Sequence, residues 1–431
     1  MPSKTDKPPF TTSEITSMRA LFLANINING SGAVVAAPDH NTGPGGDYYF
    51  HWERDGALTM TCVQTTGLAA DHSLMFNYSH WVVGRQAMDD IHGIDVRTEP
   101  KYQIPSGAIF DGAWCRPQND GPGLRATALM LFANKLLDGS SASGKSFATK
   151  TLWPSVQRSL DYLTSGGWST NTCDLWEEVR STDLFWNRVT MKRALTKGAE
   201  LATRLGDATS AAAYRSTVEK ISDELHTHMT PSGYLIEEPN RRMDGAVVVG
   251  LNMQFDDSKP TYAPSSIAVA KTVNAYNGAF CAEYPLNIDA QQAGVPGVLY
   301  GRYPGDTYDG GNPWILTTAA LAQILYRVAC ACASGDVPSA QALSVWSSAL
   351  NMPALANATA DDAGPLFASA GDAVLARIAY YVRKADIGFR LDEQLEKHTG
   401  KPTSAKSLTW SYAEVFNALH WRDHAWSKAG K

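Results

Sequence analysis

Apolar residues recur at helical spacing through nearly all of this 431-residue chain, and that period constrains the fold more than any other feature. Ser13 can cap a helix running through Ile15, Met18, Leu21, Phe22 and Ile26, and Asp55 opens another over Gly56–Leu68. The i, i+3, i+4, i+7 pattern predicts further helices over Leu124–Leu137, Leu152–Leu163, Leu184–Leu205, Ala211–Met229, Leu316–Ala333, Ser339–Leu350, Leu366–Val382 and Tyr412–Ala425. Short pieces such as Ala246–Val249, with three consecutive valines, read as strands. Helices of roughly 10–14 residues with generous loops put about a dozen helices in such a chain. No fixed-period repeat supports a solenoid. A prior of roughly 150 residues per domain suggests two or three units. The unbroken pattern instead favours one large all-α domain over residues 13–431, after an N-terminal extension of residues 1–12.

Lys plus Arg is 37 against 43 Asp plus Glu, a net charge of −6 without basic clusters. Such a chain is poorly built for nucleic acid, which is gripped by concentrated positive charge. The most apolar long stretch, Ile315–Ala333, is interrupted by Thr317, Thr318, Gln323 and Arg327. It reads as a buried helix, so a soluble monomer is expected, with no membrane partner. The six cysteines form no CxxC pair, and Cys62, Cys330 and Cys332 sit in apolar helical stretches where a free buried thiol is expected. The polar N-terminus lacks the apolar core of a signal peptide. The chain is therefore either intracellular or a mature extracellular form. The sequons at Asn29, Asn77 and Asn357 lean toward secretion.

Five loops concentrate Trp, Tyr, Arg, Asp, Gly and Pro: Asp47–Asp55, Gly112–Arg125, Asp174–Arg180, Gly301–Trp314 and Leu391–Tyr412. Trp52, Trp114, Trp176, Trp314 and Trp410 fall within them. An indole face beside fixed polar groups suits a pyranose ring, whose C–H faces are apolar and whose rim is hydroxyls. Plugging of helix ends by the same residues is the alternative.

Asp174-Leu175-Trp176-Glu177-Glu178 places three carboxylates within five residues. Repulsion and burial are expected to raise at least one pKa there, which is what a general acid requires. Consecutive side chains diverge, so Glu177 and Glu178 cannot share a role. Leu391-Asp392-Glu393-Gln394-Leu395-Glu396 supplies further carboxylates, and two of them in an aromatic pocket meet the requirement for glycoside hydrolysis. The chain has no HExxH, EF-hand, Walker, GxGxxG or GxSxG pattern, so no metal or cofactor is expected.

Taken together, Tyr48–Asp55, Gly112–Pro122, Asp174–Glu178, Gly301–Tyr308 with Gly311–Trp314, and Leu408–Ser411 resemble, in the same order, the blocks of the fungal glucoamylases of glycoside hydrolase family 15. The resemblance spans about residues 20–425 and implies an (α/α)6 barrel of six outer and six inner helices, with a pocket in the loops at one end. It implies inverting exo-hydrolysis of α-1,4-glucans such as starch from non-reducing ends, releasing β-D-glucose, with α-1,6 bonds cut more slowly. By position, Glu177 matches the general acid. Glu393, fifteen residues before Leu408, matches the general base. Tyr48 matches the Tyr near the base, Arg54 and Asp55 the pair gripping the terminal glucose, and Arg302 a further sugar-binding Arg. Glu178 matches a contact to the next sugar, and Trp114 the Trp lying over the substrate. Trp52, Trp314 and Trp410 match pocket-lining aromatics.

Four positions depart from the family pattern. Cys115 stands in place of the usual Gly, making that loop oxidisable; His51 and Glu53 change the flanks of Trp52; and Gly305 replaces the commoner Glu. No starch-binding module is apparent, so soluble chains are the expected substrate, and an extracellular location is the favoured reading. The rivals are a glucodextranase- or trehalase-like hydrolase of the same fold and a catalytically silent glycan-sensing module.

Overall fold

The computed structural model describes residues 8–41, 47–69 and 72–429. Among them are fifteen α-helices: α1 (Thr12–Ala24), α2 (Glu53–Thr66), α3 (Ser73–Arg85), α4 (Asp120–Asp138), α5 (Ala142–Phe147), α6 (Trp153–Thr164), α7 (Phe185–Leu205), α8 (Ala208–Leu225), α9 (Gly245–Phe255), α10 (Ile267–Glu283), α11 (Pro285–Gln292), α12 (Ile315–Ala333), α13 (Ala340–Ala349), α14 (Ala360–Ala385) and α15 (Thr409–Ala429). Helices α2, α4, α7, α9, α12 and α15 pack each against the next, and α15 closes back onto α2. Around this inner ring lie α1, α3, α6, α8, α10 and α14, giving the expected (α/α)6 barrel. Three short antiparallel strand pairs stand in the connections: β1 (Phe50–Trp52) with β2 (Lys101–Gln103), and the hairpins β3 (Thr172–Cys173) with β4 (Arg180–Ser181) and β5 (Gln394–Leu395) with β6 (Pro402–Thr403).

The inner helices are enclosed on every side, which explains one correction. Ala246–Val249 is not a strand but the first turns of α9, buried from Gly245 to Gln254. A helix buried all round has no polar face and shows no amphipathic period. Its valines therefore looked like β sequence, and the tertiary environment overrides that propensity. The cap assigned to Ser13 also moves. Thr11 accepts from Glu14 N while Glu14 accepts from Thr11 N at 2.7 Å, a reciprocal box closed at T-x-x-E spacing. Residues 1–7 of the sequence-derived extension lie outside the described residues.

Helix α12 is buried over nearly its whole length, and its polar residues are satisfied inside the ring. Thr318 donates to Trp314 O at 2.8 Å, Gln323 to Glu414 Oε2 at 2.9 Å, and Arg327 pairs with Asp256 at 2.8 Å. Buried groups without such partners would each cost on the order of 1–3 kcal/mol. The thiols of Cys62, Cys330 and Cys332 are free and buried, as read from the sequence.

Candidate active site

The amino ends of all six inner helices converge on one mouth of the barrel. Trp52 precedes α2 and Trp314 precedes α12, while Asp244 caps α9 through its side chain. Asp120 opens α4, Trp186 lies in the first turn of α7, and Trp410 in that of α15. Each helix terminus carries a partial positive charge, so this mouth offsets part of the cost of gathering carboxylates.

A cavity of about 320 Å³ opens there. Tyr48, Trp52, Arg54, Asp55, Trp114, Glu177, Glu178, Arg302, Trp314, Glu393 and Trp410 all line it, so residues spread across the chain are brought to one place. The volume suits one or two sugar rings more than a long open cleft.

Glu177 sits at the tip of the β3–β4 hairpin with a left-handed backbone, φ 65°. Asp174 builds that turn: its Oδ1 accepts from Glu178 N at 2.7 Å and Val179 N at 2.9 Å. A left-handed conformation at a non-glycine residue costs about 1–2 kcal/mol and needs such support. The turn sends the two glutamates to different partners, as their adjacency required. Glu177 Oε1 accepts from Arg54 Nη2 at 2.9 Å and Gln118 Nε2 at 2.8 Å. Glu178 is ringed by Arg302 Nη1 at 2.8 Å, Tyr303 Oη at 2.6 Å and Arg241 Nη2.

Glu178 is not the raised carboxyl expected in this cluster. Burial pushes it up, but the Tyr303 hydroxyl and the Arg302 and Arg241 guanidinium groups together hold it below the ordinary value. Spacing along the chain revealed the acids but not the cations delivered from 302 and 241.

Burial instead raises Glu393 to about 7, against hydrogen bonds from Ser404 and Tyr48 that favour its ionised form. Tyr48 Oη donates to Glu393 Oε1 at 3.0 Å, and Tyr308 Oη lies 2.5 Å from Tyr48 Oη. Asp55 is likewise raised to about 7 by burial, with Arg54 opposing.

The two arginines are held flat by carboxylates. Arg54 Nη1 donates to Gln118 Oε1 at 3.0 Å and Asp120 Oδ2 at 3.2 Å. Arg302 is clasped in the plane by Asp306, with Nε donating at 2.8 Å, and its guanidinium lies 5.7 Å from each of the Trp176 and Trp314 rings. The buried N–H groups Arg54 Nε, Trp114 Nε1 and Trp314 Nε1 have no protein acceptor among the described residues.

Several contributors escaped the sequence reading. Lys101 Nζ lies 3.7 Å from the Trp114 ring centroid, 4.3 Å from Trp52 and 4.2 Å from both Phe50 and Phe110. Enclosure pushes its ammonium down to about 8. Gln118, Asp120, Ser404, Tyr308 and Glu414, which accepts from Trp410 Nε1 at 3.0 Å, also hold pocket residues in place. Gln118, Asp120 and Tyr308 stood inside the motif blocks; Lys101 and Glu414 carried no local signal. His51 and Glu53 face inward. His51 is kept neutral by burial, its pKa down to about 3, and Glu53 pairs with Arg125 at 3.3 Å. A disulfide joins Cys115 to Cys173.

A pocket walled by indoles, holding buried carboxylates and planar arginines at the mouth of an (α/α)6 barrel, defines a glycoside hydrolase. The chain belongs to glycosyl hydrolases family 15, whose family model matches residues 18–420. It is 32% identical to glucoamylase-1 of Schizophyllum commune, the match covering 98% of this chain and 76% of that protein. It is 30% identical to glucoamylase 1 of Rhizopus oryzae, over 93% and 69%. Among solved structures, the family 15 glucoamylase of Hypocrea jecorina superposes with a TM-score of 0.82 at 26% identity, over 96% of this chain and 71% of that one. The glucoamylase of Hormoconis resinae gives 0.82 at 28% identity, over 95% and 73%.

Proposed function

We propose that this protein is a glucan 1,4-α-glucosidase that removes glucose from the non-reducing ends of starch and maltooligosaccharides. The observation that carries the reading is one pocket holding two carboxylates in different settings, Glu177 among cationic and amide donors and Glu393 beneath Tyr48 and Ser404. In this reading Glu177 protonates the glycosidic oxygen. Glu393 takes a proton from the attacking water, which leaves its hydroxide equivalent on the anomeric carbon with inverted configuration. Such a pair must stand roughly 6.5–9.5 Å apart to admit the water. Asp55 and the N–H groups of Arg54 and Arg302 bind hydroxyls of the terminal glucose. Glu178 meets the next sugar, and Trp52, Trp114, Trp314 and Trp410 pack on the ring faces.

Rapid release of glucose from maltoheptaose, with none from trehalose and at most slow release from dextran, tests the substrate class. Proton NMR in the first minutes of maltose hydrolysis tests the stereochemistry. β-glucose is expected first, and initial α-glucose would overturn Glu393 as base. The Cys115–Cys173 disulfide supports an extracellular, oxidising location, because cytosolic thiols are kept reduced. The protein acts as a monomer in this reading, and sedimentation at working concentration checks it.

A further inference from the structure

The structure points to a positioning role for the one disulfide among the described residues. We propose that Cys115–Cys173 is a strut of the active site, holding Trp114 and Glu177 in mutual register, so that catalysis by this chain depends on thiol oxidation. The inference rests on the glucan-hydrolase reading above and adds to it a pair of residues and a dependence.

The bond joins segments 58 residues apart, and both flank the chemistry. Cys115 lines the cavity and directly follows Trp114, whose indole packs edge-on against Trp52 at 5.7 Å. Cys173 is buried in β3 and directly precedes Asp174, whose carboxylate builds the turn that sets the left-handed Glu177. Gln118 reads both sides of the junction, its Nε2 donating to Cys115 O at 3.2 Å and to Glu177 Oε1 at 2.8 Å. A shift of the Trp114 loop relative to β3 therefore moves the indole and the Glu177 partner together.

The remaining ties are hydrogen bonds and an ion pair: Thr172 Oγ1 donates to Pro117 O at 3.2 Å, and Arg116 pins its own loop through Gly112 O at 3.1 Å and Phe110 O at 2.7 Å. Cys173 N donates to Pro117 O at 3.0 Å, Asn119 N to Thr172 Oγ1 at 2.9 Å, and Arg116 pairs with Glu99 at 2.8 Å. Those of Cys173 and Thr172 join the two segments at residues 117–119, and Trp114 is further held by ring contacts to Trp52 and Phe110 and by the Lys101 ammonium, so the disulfide is the covalent tie between this loop and β3. The other cysteines, Cys62, Cys281, Cys330 and Cys332, are unpaired, so oxidation is selective for the site. Misplacing groups at a reacting centre by about 1 Å can cost on the order of 100-fold in rate. A tether bearing on two of them through hydrogen bonds is expected to matter less than that.

The test compares oxidised wild type, the Cys115→Ser/Cys173→Ser double variant and wild type treated with dithiothreitol. The reductant supplies two electrons and two protons, closing its own ring disulfide as both cysteines become thiols. Thiol titration verifies the change, and oxidised glutathione reverses it. On maltose, kcat is expected to fall about tenfold in both altered forms, with KM within about twofold and the alkaline limb of the kcat profile displaced. Cys281→Ser, at a free thiol that does not line this cavity, should respond to dithiothreitol as wild type does. Hydrogen exchange at residues 112–118 and 172–178 reads the strut without any substrate, and faster exchange there after reduction is expected. Oxidised wild type that releases no glucose strikes the glucosidase reading and leaves the exchange result to judge the strut. Unchanged kcat, pH profile and exchange on loss of the bond, even with a lowered Tm, would reduce it to a stabilising cross-link and overturn the proposal. If the double variant fails to fold, reduced wild type carries the same comparison.

Discussion

Arg54 donates through Nη2 to Glu177 Oε1 at 2.9 Å, joining the first turn of one inner helix to a hairpin tip more than 120 residues away. The same guanidinium holds Asp120 and Gln118 through Nη1. Arg54 thus organises the proposed acid while lining the same cavity. Arg54→Lys keeps the charge but replaces a planar fork with one mobile ammonium. Losing two charge-assisted bonds of roughly 1.5 kcal/mol each should lower kcat/KM on maltose on the order of 100-fold. Steady-state kinetics check this, and wild-type kcat/KM would remove Arg54 from the machinery.

The base must be ionised to accept a proton, so kcat/KM should fall as pH drops through the Glu393 pKa. Burial places that pKa above the ordinary Glu value, at about 7. Ser404 donates to Glu393 Oε2 and favours the carboxylate. Ser404→Ala should therefore move the acidic limb to higher pH, by about one unit if the bond contributes about 1.4 kcal/mol. A limb that stays put, or moves down, would contradict Glu393 as base.

Stability should also depend on pH, in a defined direction. Glu393, Asp55 and Glu414 are each raised to about 7 in the folded chain by burial. The unfolded chain ionises these groups near their ordinary values, so the folded state binds more protons in between. Their contribution is fully present below about pH 4 and is lost as pH rises toward about 7. Glu414→Gln, which keeps an acceptor for Trp410 Nε1, should flatten the decline in Tm over that window. Calorimetry between pH 4 and 8 reads it.

Removing the Cys115–Cys173 link frees a loop of 58 residues in the unfolded chain. Loop-closure entropy sets the loss at about 4 kcal/mol at most. For a chain of this length that corresponds to a Tm lowered by roughly 5 °C, measurable by calorimetry of Cys115→Ser/Cys173→Ser.

Lys101→Met removes the ammonium enclosed by Trp52, Trp114, Phe50 and Phe110 while keeping much of the side-chain bulk. Each cation–π contact contributes about 0.5–2 kcal/mol, so the indoles should become more mobile. Intrinsic Trp fluorescence and KM for maltose should both change, and an unaltered emission spectrum would count against the cage.

Most helices of the barrel wall were legible because their apolar residues recur at helical period, as in α7 over Phe185–Leu205 against the reading Leu184–Leu205, whereas α3 and α10 were not read as helices. The candidate site was legible because its residues cluster in five motif blocks at loop positions, where no packing period places a Trp. Two features escaped for physical reasons. Helix α9 is buried all round, so its valine run has no polar face to mark its period. The cations that restrain Glu178, and Lys101 beneath the indoles, come from distant segments, and electrostatics depends on separation in space. Which carboxyls are raised was likewise decided by enclosure: crowding pointed to 174–178, whereas Glu178 is lowered by its cations and burial raises Asp55, Asp244, Glu393 and Glu414. The sequence by itself determined the helical period, the residue types gathered at the loops and the family. The tertiary structure decided which of those residues share one cavity, which charges meet, and that Cys115 finds Cys173, because each depends on how the ring of helices closes.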